Sequence, residues 1–218
     1  MTSTRQALLE MVAARVPKHT RDGVCVGIDG VDGAGKSVFA DQLGGVLRAS
    51  GRSVVRISAD DFHCSRAVRH RRGRYSPEGF WLDSYDIAAL RARVLTPLGA
   101  GGSLRYQPAC HDLVGDQHLD PPMQCAEPGA ILVLDGLFLH RDELVGVWDL
   151  SLFLQVPFAV SVARMAARDG SHPDPAHAQV ARYVKGQQLY FAACQPWERA
   201  DLVVDATDLD APTIVRSR

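Results

Sequence analysis

Eight consecutive residues constrain this chain more than any others: Gly30-Val31-Asp32-Gly33-Ala34-Gly35-Lys36-Ser37 satisfies G-x-x-x-x-G-K-[ST] in full. Glycines let the backbone curl so that successive N–H groups face an anion, and the helix that follows adds the positive end of its dipole. Lys36 can then reach the β- and γ-phosphates of a nucleotide, and the Ser37 hydroxyl can ligate Mg2+. A chance glycine turn is the bland alternative, and the context argues against it. Residues 24–29 form an apolar run of strand length just before the loop, and Val38, Phe39, Leu43, Val46 and Leu47 recur at helical spacing just after it. The chain also has only three lysines, Lys18, Lys36 and Lys185, so a lysine at this position is not a product of composition. Gly30, Asp32, Gly33, Ala34, Gly35, Lys36, Ser37 and Val38 are the expected nucleotide-binding residues. The dinucleotide spacing G-x-G-x-x-G is absent, so nothing supports a nicotinamide dehydrogenase.

The remaining pattern alternates strands with helices. Residues 4–16 read as a short amphipathic helix and 53–58 as a second strand. Asp83 is the expected cap of a helix running to Leu95. Residues 130–134, apolar on both faces, are the clearest buried strand, followed by strands at 150–156 and 202–204. Pro157 suits the first residue of a helix to Arg168, and a polar break at 169–175 precedes a long helix to about Ala193. This alternation predicts an α/β fold, a three-layer sandwich of the P-loop NTPase type with a predominantly parallel five-stranded sheet and a small lid. One domain is expected over 1–218, with the lid at about 164–178 and an acceptor-binding insert at about 62–115. With 24 Lys+Arg against 25 Asp+Glu, the chain has no global pull toward nucleic acid or an anionic membrane. No apolar run approaches a membrane span, and five scattered cysteines without a C-x-x-C pair favour a reducing compartment, so a cytoplasmic location is expected.

Three kinds of nucleotide user share such a loop. Guanine-specific switches carry N-K-x-D, and none of the three lysines lies in one. Motor ATPases end a second acidic strand in Asp-Glu, whereas here Asp135 precedes Gly136, leaving no adjacent carboxylate to polarise water. A small-molecule kinase instead needs a base for an alcohol, cations for the transferring phosphoryl and a dry site. Asp60-Asp61 follows the second strand and should emerge beside the phosphate loop, where a carboxylate can accept the hydroxyl proton. Arg164 and Arg168, four apart on one helix face, can neutralise the transferring group from a closing lid. The competing readings are a polar pair that merely ends a strand and a basic helix end favoured by the dipole.

These residues resemble the uridine kinase (uridine–cytidine kinase) family, within the larger group containing phosphoribulokinase and bacterial pantothenate kinase. The likeness spans roughly 22–206 and rests on IDGVDGAGKS (28–37), SADDF (58–62), LDGLFL (134–139) and the helix ending Arg168-Asp169. The resemblance implies ATP and Mg2+ as cofactors, with Asp60, or its neighbour Asp61, as the base for a ribose 5′-hydroxyl. It implies that Asp135 assists Ser37 with the metal, although the family usually has Glu there, and it puts His63 where the family has Tyr. It also implies base recognition by a Tyr and a His five apart, a spacing that Tyr106 and His111 reproduce.

Arg66, Arg69, Arg71, Arg72 and Arg74, with His70, form a positive stretch with no acid inside it. An RNA-binding loop, a clamp for a phosphorylated acceptor, and a solvated loop paired with acids such as Glu78 and Asp83 are the three readings, and the absence of interleaved aromatics weighs against the first. The segment 76–86 is expected to wall the acceptor pocket, with Phe80, Trp81 and Tyr85 as large side chains and Glu78 and Asp83 placed for sugar hydroxyls. The expected activity is transfer of the γ-phosphate of ATP to a small-molecule alcohol, foremost the 5′-hydroxyl of uridine or cytidine. The alternatives are another acceptor (nicotinamide riboside, pantothenate or a sugar phosphate) and a non-catalytic nucleotide-binding or RNA-associated regulator. Self-association is left open, a membrane or nucleic-acid partner is not expected, and a nucleoside-like small molecule is.

Overall fold

Five parallel strands form the centre of the molecule: β1 (Val24–Gly30), β2 (Val54–Ser58), β3 (Ile131–Asp135), β4 (Leu150–Gln155) and β5 (Leu202–Asp205). A sixth, β6 (Thr213–Ser217), runs antiparallel along β5, and the order across the sheet is β6-β5-β4-β1-β3-β2. The computed structural model describes residues 4–18 and 23–218. The five parallel strands are those read from the sequence. β6 was not foreseen, because it lies at an edge with alternately exposed and half-buried residues and so carries no apolar run.

Strand alternation makes three layers. Ile131 and Val133 point to one face with Val26, Ile28, Leu152 and Leu154, and meet Leu8, Leu9 and Val12 of α1 (Thr4–Arg15) and Phe39, Leu43 and Leu47 of α2 (Lys36–Ala49). Leu132 and Leu134 point the other way, into a core with Ile57, Phe62, Leu90, Val94, Phe138, Tyr190, and Phe80 and Trp81 of α3 (Pro77–Asp83). Packing rather than propensity holds α2. Its Gly44 and Gly45 each cost about 0.5–1 kcal/mol relative to alanine, whereas Phe39, Leu43 and Leu47 are essentially fully buried and each contributes about 1.5–3 kcal/mol.

Two further helices frame the phosphate loop. Pro157 caps α4 (Phe158–Asp169) instead of beginning it, and α5 (Ala178–Cys194) follows the connection 170–177. The segment expected to act as a lid is thus the last turns of α4, this connection and the start of α5. Among the described residues no helix is long and apolar enough to cross a membrane.

Asp83 has a different task from the one its position suggested. It ends α3, and the cap of the following helical turn is Asp86, whose carboxylate accepts from the Ala89 N–H at 2.8 Å. The Asp83 side chain is 0% exposed and is held by Arg71 and, at 2.9 Å, by Arg72. It is therefore unavailable to sugar hydroxyls, and two of the clustered arginines are neutralised by it. Burial by itself raises the Asp83 carboxyl, yet the hydrogen bond and charge of Arg71, with the charge of Arg72, outweigh burial and leave it below the ordinary carboxylate value. A carboxyl lowered in the folded state binds fewer protons there than in the unfolded chain. Its stabilising contribution is complete above the unfolded value of about 3.9 and is lost as pH falls through the lowered one. Asp83→Asn is expected to lower Tm at neutral pH and to flatten the acid limb of a Tm-versus-pH curve. An acid limb identical to wild type would show that this pair contributes nothing to acid sensitivity.

Candidate active site

Register aligns the loops that matter. Asp135 pairs with Ile28 of β1 on one side and with Ser58 of β2 on the other, so β2 and β3 end together beside β1, which runs on to Gly30. The glycine loop, Asp60 and Gly136 leave the sheet side by side, at the carboxyl edge where open parallel sheets bind ligands. Gly136 is required there by close approach: a Cβ would lie 2.4 Å from the Ala59 Cβ.

The glycine loop is braced from outside. Gly33 has φ +77°, and a Cβ on it would lie 2.4 Å from the Ser161 carbonyl oxygen of α4. Asp32 donates its N–H to Gln187 Oε1 of α5 at 2.8 Å, and Ala34 donates its own to Val31 O at 3.1 Å. These two amides are thereby engaged by the protein itself. The first turn of α2 leaves the amides of Lys36 and Ser37 without intrahelical acceptors. The Lys36 ammonium donates to Val31 O at 2.9 Å, a neutral contact that a phosphate oxygen can replace.

The Ser37 hydroxyl donates to Asp135 Oδ2 at 2.6 Å. The other oxygen, Oδ1, lies 2.6 Å from a guanidinium nitrogen of Arg56 on β2, an ionic contact outside hydrogen-bonding angles. Arg56 also holds Asp41 at 2.9 Å. Among the described residues no group of three His, Cys, Asp or Glu side chains is placed to hold a metal. Two adjacent hard oxygens, Ser37 Oγ and Asp135 Oδ2, nonetheless suit Mg2+, which keeps several waters and takes few protein ligands beside nucleotide phosphates.

Asp60 lines the same cleft. The Tyr85 hydroxyl donates to Asp60 Oδ1 at 2.8 Å and leaves Oδ2 outside that bond. Burial, then the Asp60 charge and hydrogen bond, raise the Tyr85 phenol well above its ordinary value, so it stays a donor. His63 packs 4.5 Å from the Tyr85 ring. Its Nδ1 lies 2.8 Å from the Asp60 carbonyl, which fixes Nδ1 as the donor and Nε2 as the acceptor. Burial lowers the His63 imidazole and keeps it neutral.

The cleft, of about 600 Å3, has the size of a small-molecule site. Asp32, Gly33, Gly35, Lys36, Ser37, Val38, Asp60, His63, Phe80, Asp135, Arg164 and Arg168 all line it, while Gly30 and Ala34 lie beneath the loop. Arg164 donates to the carbonyls of Ala206 and Thr207, at 3.1 and 2.7 Å, and Arg168 pairs with Asp169 at 3.0 Å. Six residues expected at the acceptor are not in the lining, among them Trp81, which packs on Phe138 and Tyr190. Asp61 is exposed, its carboxyl raised by partial desolvation and then by Asp60 and Asp135. Glu78 accepts from the Ser76 hydroxyl at 3.0 Å. Asp83 is consumed by its arginines. Tyr106 is buried and donates to Gln124 Oε1 at 2.8 Å, and His111 lies 3.1 Å from Asp116 Oδ1. The two lie in separate short ribbons, 105–106 with 124–125 and 111–112 with 117–118.

Sequence reasoning missed Arg56, Gln187 and Arg182 as parts of the site, and it named Tyr85 only as a wall residue, not as the partner of Asp60. Arg182 and Arg69 line the cleft beside Phe80 and Tyr183. No local pattern marks Arg182 or Gln187; they are brought in by α5 alone.

No protein-family model and no curated protein matches this chain in sequence. Solved structures do share its fold. A protein named a possible uridine kinase, from Bacillus stearothermophilus, superposes with a TM-score of 0.68 at 24% identity, covering 92% of this chain and 96% of its own. A protein provisionally named a fructose transport system kinase, from Silicibacter sp. TM1040, gives 0.69 at 23%, covering 89% and 96%. Phosphoribulokinase from Rhodobacter spheroides gives 0.58 at 15%, covering 85% and 71%. The architecture is shared with structures that carry the names of different kinases.

Proposed function

We propose that this chain, having that architecture, is a kinase that moves the γ-phosphate of ATP to an alcohol of a small molecule. One observation carries the reading: Asp60, with one oxygen held by Tyr85, lines the same cleft as Lys36, the Ser37–Asp135 pair, Arg164 and Arg168. The acceptor oxygen forms a bond to the γ-phosphorus as the bond to the β–γ bridging oxygen breaks. ADP leaves with that electron pair, and Asp60 Oδ2 takes the hydroxyl proton. Lys36 and the first amides of α2 hold the phosphates, and Arg164 and Arg168 neutralise the group in transfer. Ser37 and Asp135 would hold Mg2+, which when bound offsets phosphate charge.

A pyrimidine nucleoside is one acceptor to be tried, on the resemblance and on the name of one structural neighbour. The side chains that were to recognise its base, Tyr106 and His111, are occupied elsewhere, so the acceptor class is better argued from the cleft. A regulator without catalysis gains nothing from a base, a metal pair and a transfer clamp in one cleft. The purified chain with Mg-ATP and a panel of small alcohols, followed as ADP release together with phosphorylated product, is the test. Acceptor-dependent ADP release is expected. ADP release equal with and without every alcohol would replace a kinase by an ATPase.

A further inference from the structure

The cations around the cleft are not all accounted for by a triphosphate. Arg164 and Arg168 come from α4, beside the phosphate loop. Arg182 comes from α5 and is tied to the other wall, the insert: it donates to the Arg74 carbonyl, and its guanidinium carbon lies 5.6 Å from the Phe80 ring and 4.8 Å from the Tyr183 ring. Its Nε is buried with no partner, and no carboxylate is among its contacts with the described residues. Arg69 stands on the same wall, mostly buried, its Nε on the Cys64 carbonyl at 2.8 Å. Its one carboxylate, Asp116, is 3.5 Å away and already accepts from the Arg66 N–H and faces His111. The neighbouring His70 registers the crowding: desolvation, then the charges of Arg182, Arg69, Arg74 and Arg66, hold its imidazole below the ordinary value.

A desolvated guanidinium without a counter-ion is costly, and the planar fork suits a carboxylate or phosphate far better than a sugar hydroxyl. Arg182, with no carboxylate among its contacts with the described residues, and Arg69, whose one carboxylate is shared with His111, are held on the acceptor wall before any ligand arrives and amount to an anion receptor. We propose that the acceptor is an anionic alcohol, its carboxylate or phosphate received by Arg182 and Arg69 while its hydroxyl faces Asp60. The inference rests on the kinase reading for the role of the hydroxyl, not for the anion site.

Matched alcohols test it: glycerol against glycerate, fructose against fructose 1-phosphate, and uridine as a neutral nucleoside. Turnover with Mg-ATP is measured alongside calorimetric binding in the presence of a saturating non-hydrolysable ATP analogue, which keeps the anions off the phosphate loop. Turnover and binding are expected only for anionic members. Arg182→Ala should raise KM for the productive acceptor by about 10–100-fold, with the KM for ATP unchanged and Arg182→Lys recovering part of the loss. Arg69→Gln should act in the same direction and guards against a folding defect in the first variant. Binding of glycerate or fructose 1-phosphate without turnover of any alcohol, lost in Arg182→Ala, would support the anion site while sinking the kinase reading. Turnover of uridine, glycerol or fructose undiminished in Arg182→Ala would overturn the inference and leave the kinase standing. A rise confined to the KM for ATP would overturn it as well, assigning Arg182 to the nucleotide.

Discussion

Lys36→Ala should lower kcat by about 10^3-fold or more, the loss found when a preorganised donor is removed from a developing charge. At 1.36 kcal/mol per factor of ten this asks about 4 kcal/mol of one ammonium. The structure makes the demand reasonable. Among the described residues the ammonium has no carboxylate to give up, only the Val31 carbonyl at 2.9 Å, so its charge is available to the phosphates. For the same reason its removal breaks no ion pair, and Tm should stay near wild type. Stopped or steady-state measurement of ADP release, with a thermal melt on the same sample, checks both halves. A fall of only a few-fold would mean that the loop amides and the arginines carry the transfer without it.

The second large effect is at Asp60. Asp60→Asn keeps size and hydrogen-bonding capacity but removes the base, and kcat should fall by about 10^2–10^4-fold with nucleotide affinity unchanged. Tyr85→Phe removes the donor that orients Oδ1 and leaves the carboxylate in place, so a smaller loss, about tenfold, is expected. The order of the two losses is the informative result. If Asp60→Asn turned over at the wild-type rate, the hydroxyl proton would leave by another route and Asp60 would be reduced to a residue that ends a strand.

What could be read along the chain was whatever a few consecutive residues dictate. The run 24–37 reveals strand, loop and helix because period, glycines and lysine are all local, and the five parallel strands follow from apolar stretches with both faces buried. Asp60 and Asp135 were legible as residues that follow or end strands in a sheet of this class. The acceptor wall was legible only in part: His63, Phe80 and Tyr85 line the cleft, and the charged residues Glu78 and Asp83 named with them do not. Asp83 looked like a helix cap and a sugar ligand, yet burial against Arg71 and Arg72 decides its role, and neither partner announces itself by spacing. Tyr106 and His111 kept a suggestive interval while folding into separate ribbons whose side chains bond to Gln124 and Asp116. An interval of five residues specifies a distance only inside a regular element, and these two lie in none that they share.

The linear order of residues thus determined the phosphate-binding loop, the parallel sheet and the two acids at its edge, because hydrophobic period and backbone freedom act over a handful of neighbours. Tertiary structure alone decided that Arg182 and Arg69 join Lys36, Arg164 and Arg168 around the cleft, and that Arg71 and Arg72 are neutralised. Arg182 stands 108 residues from the carbonyl that holds it, and a charge is left free or paired only by what packing brings within a few ångströms of it.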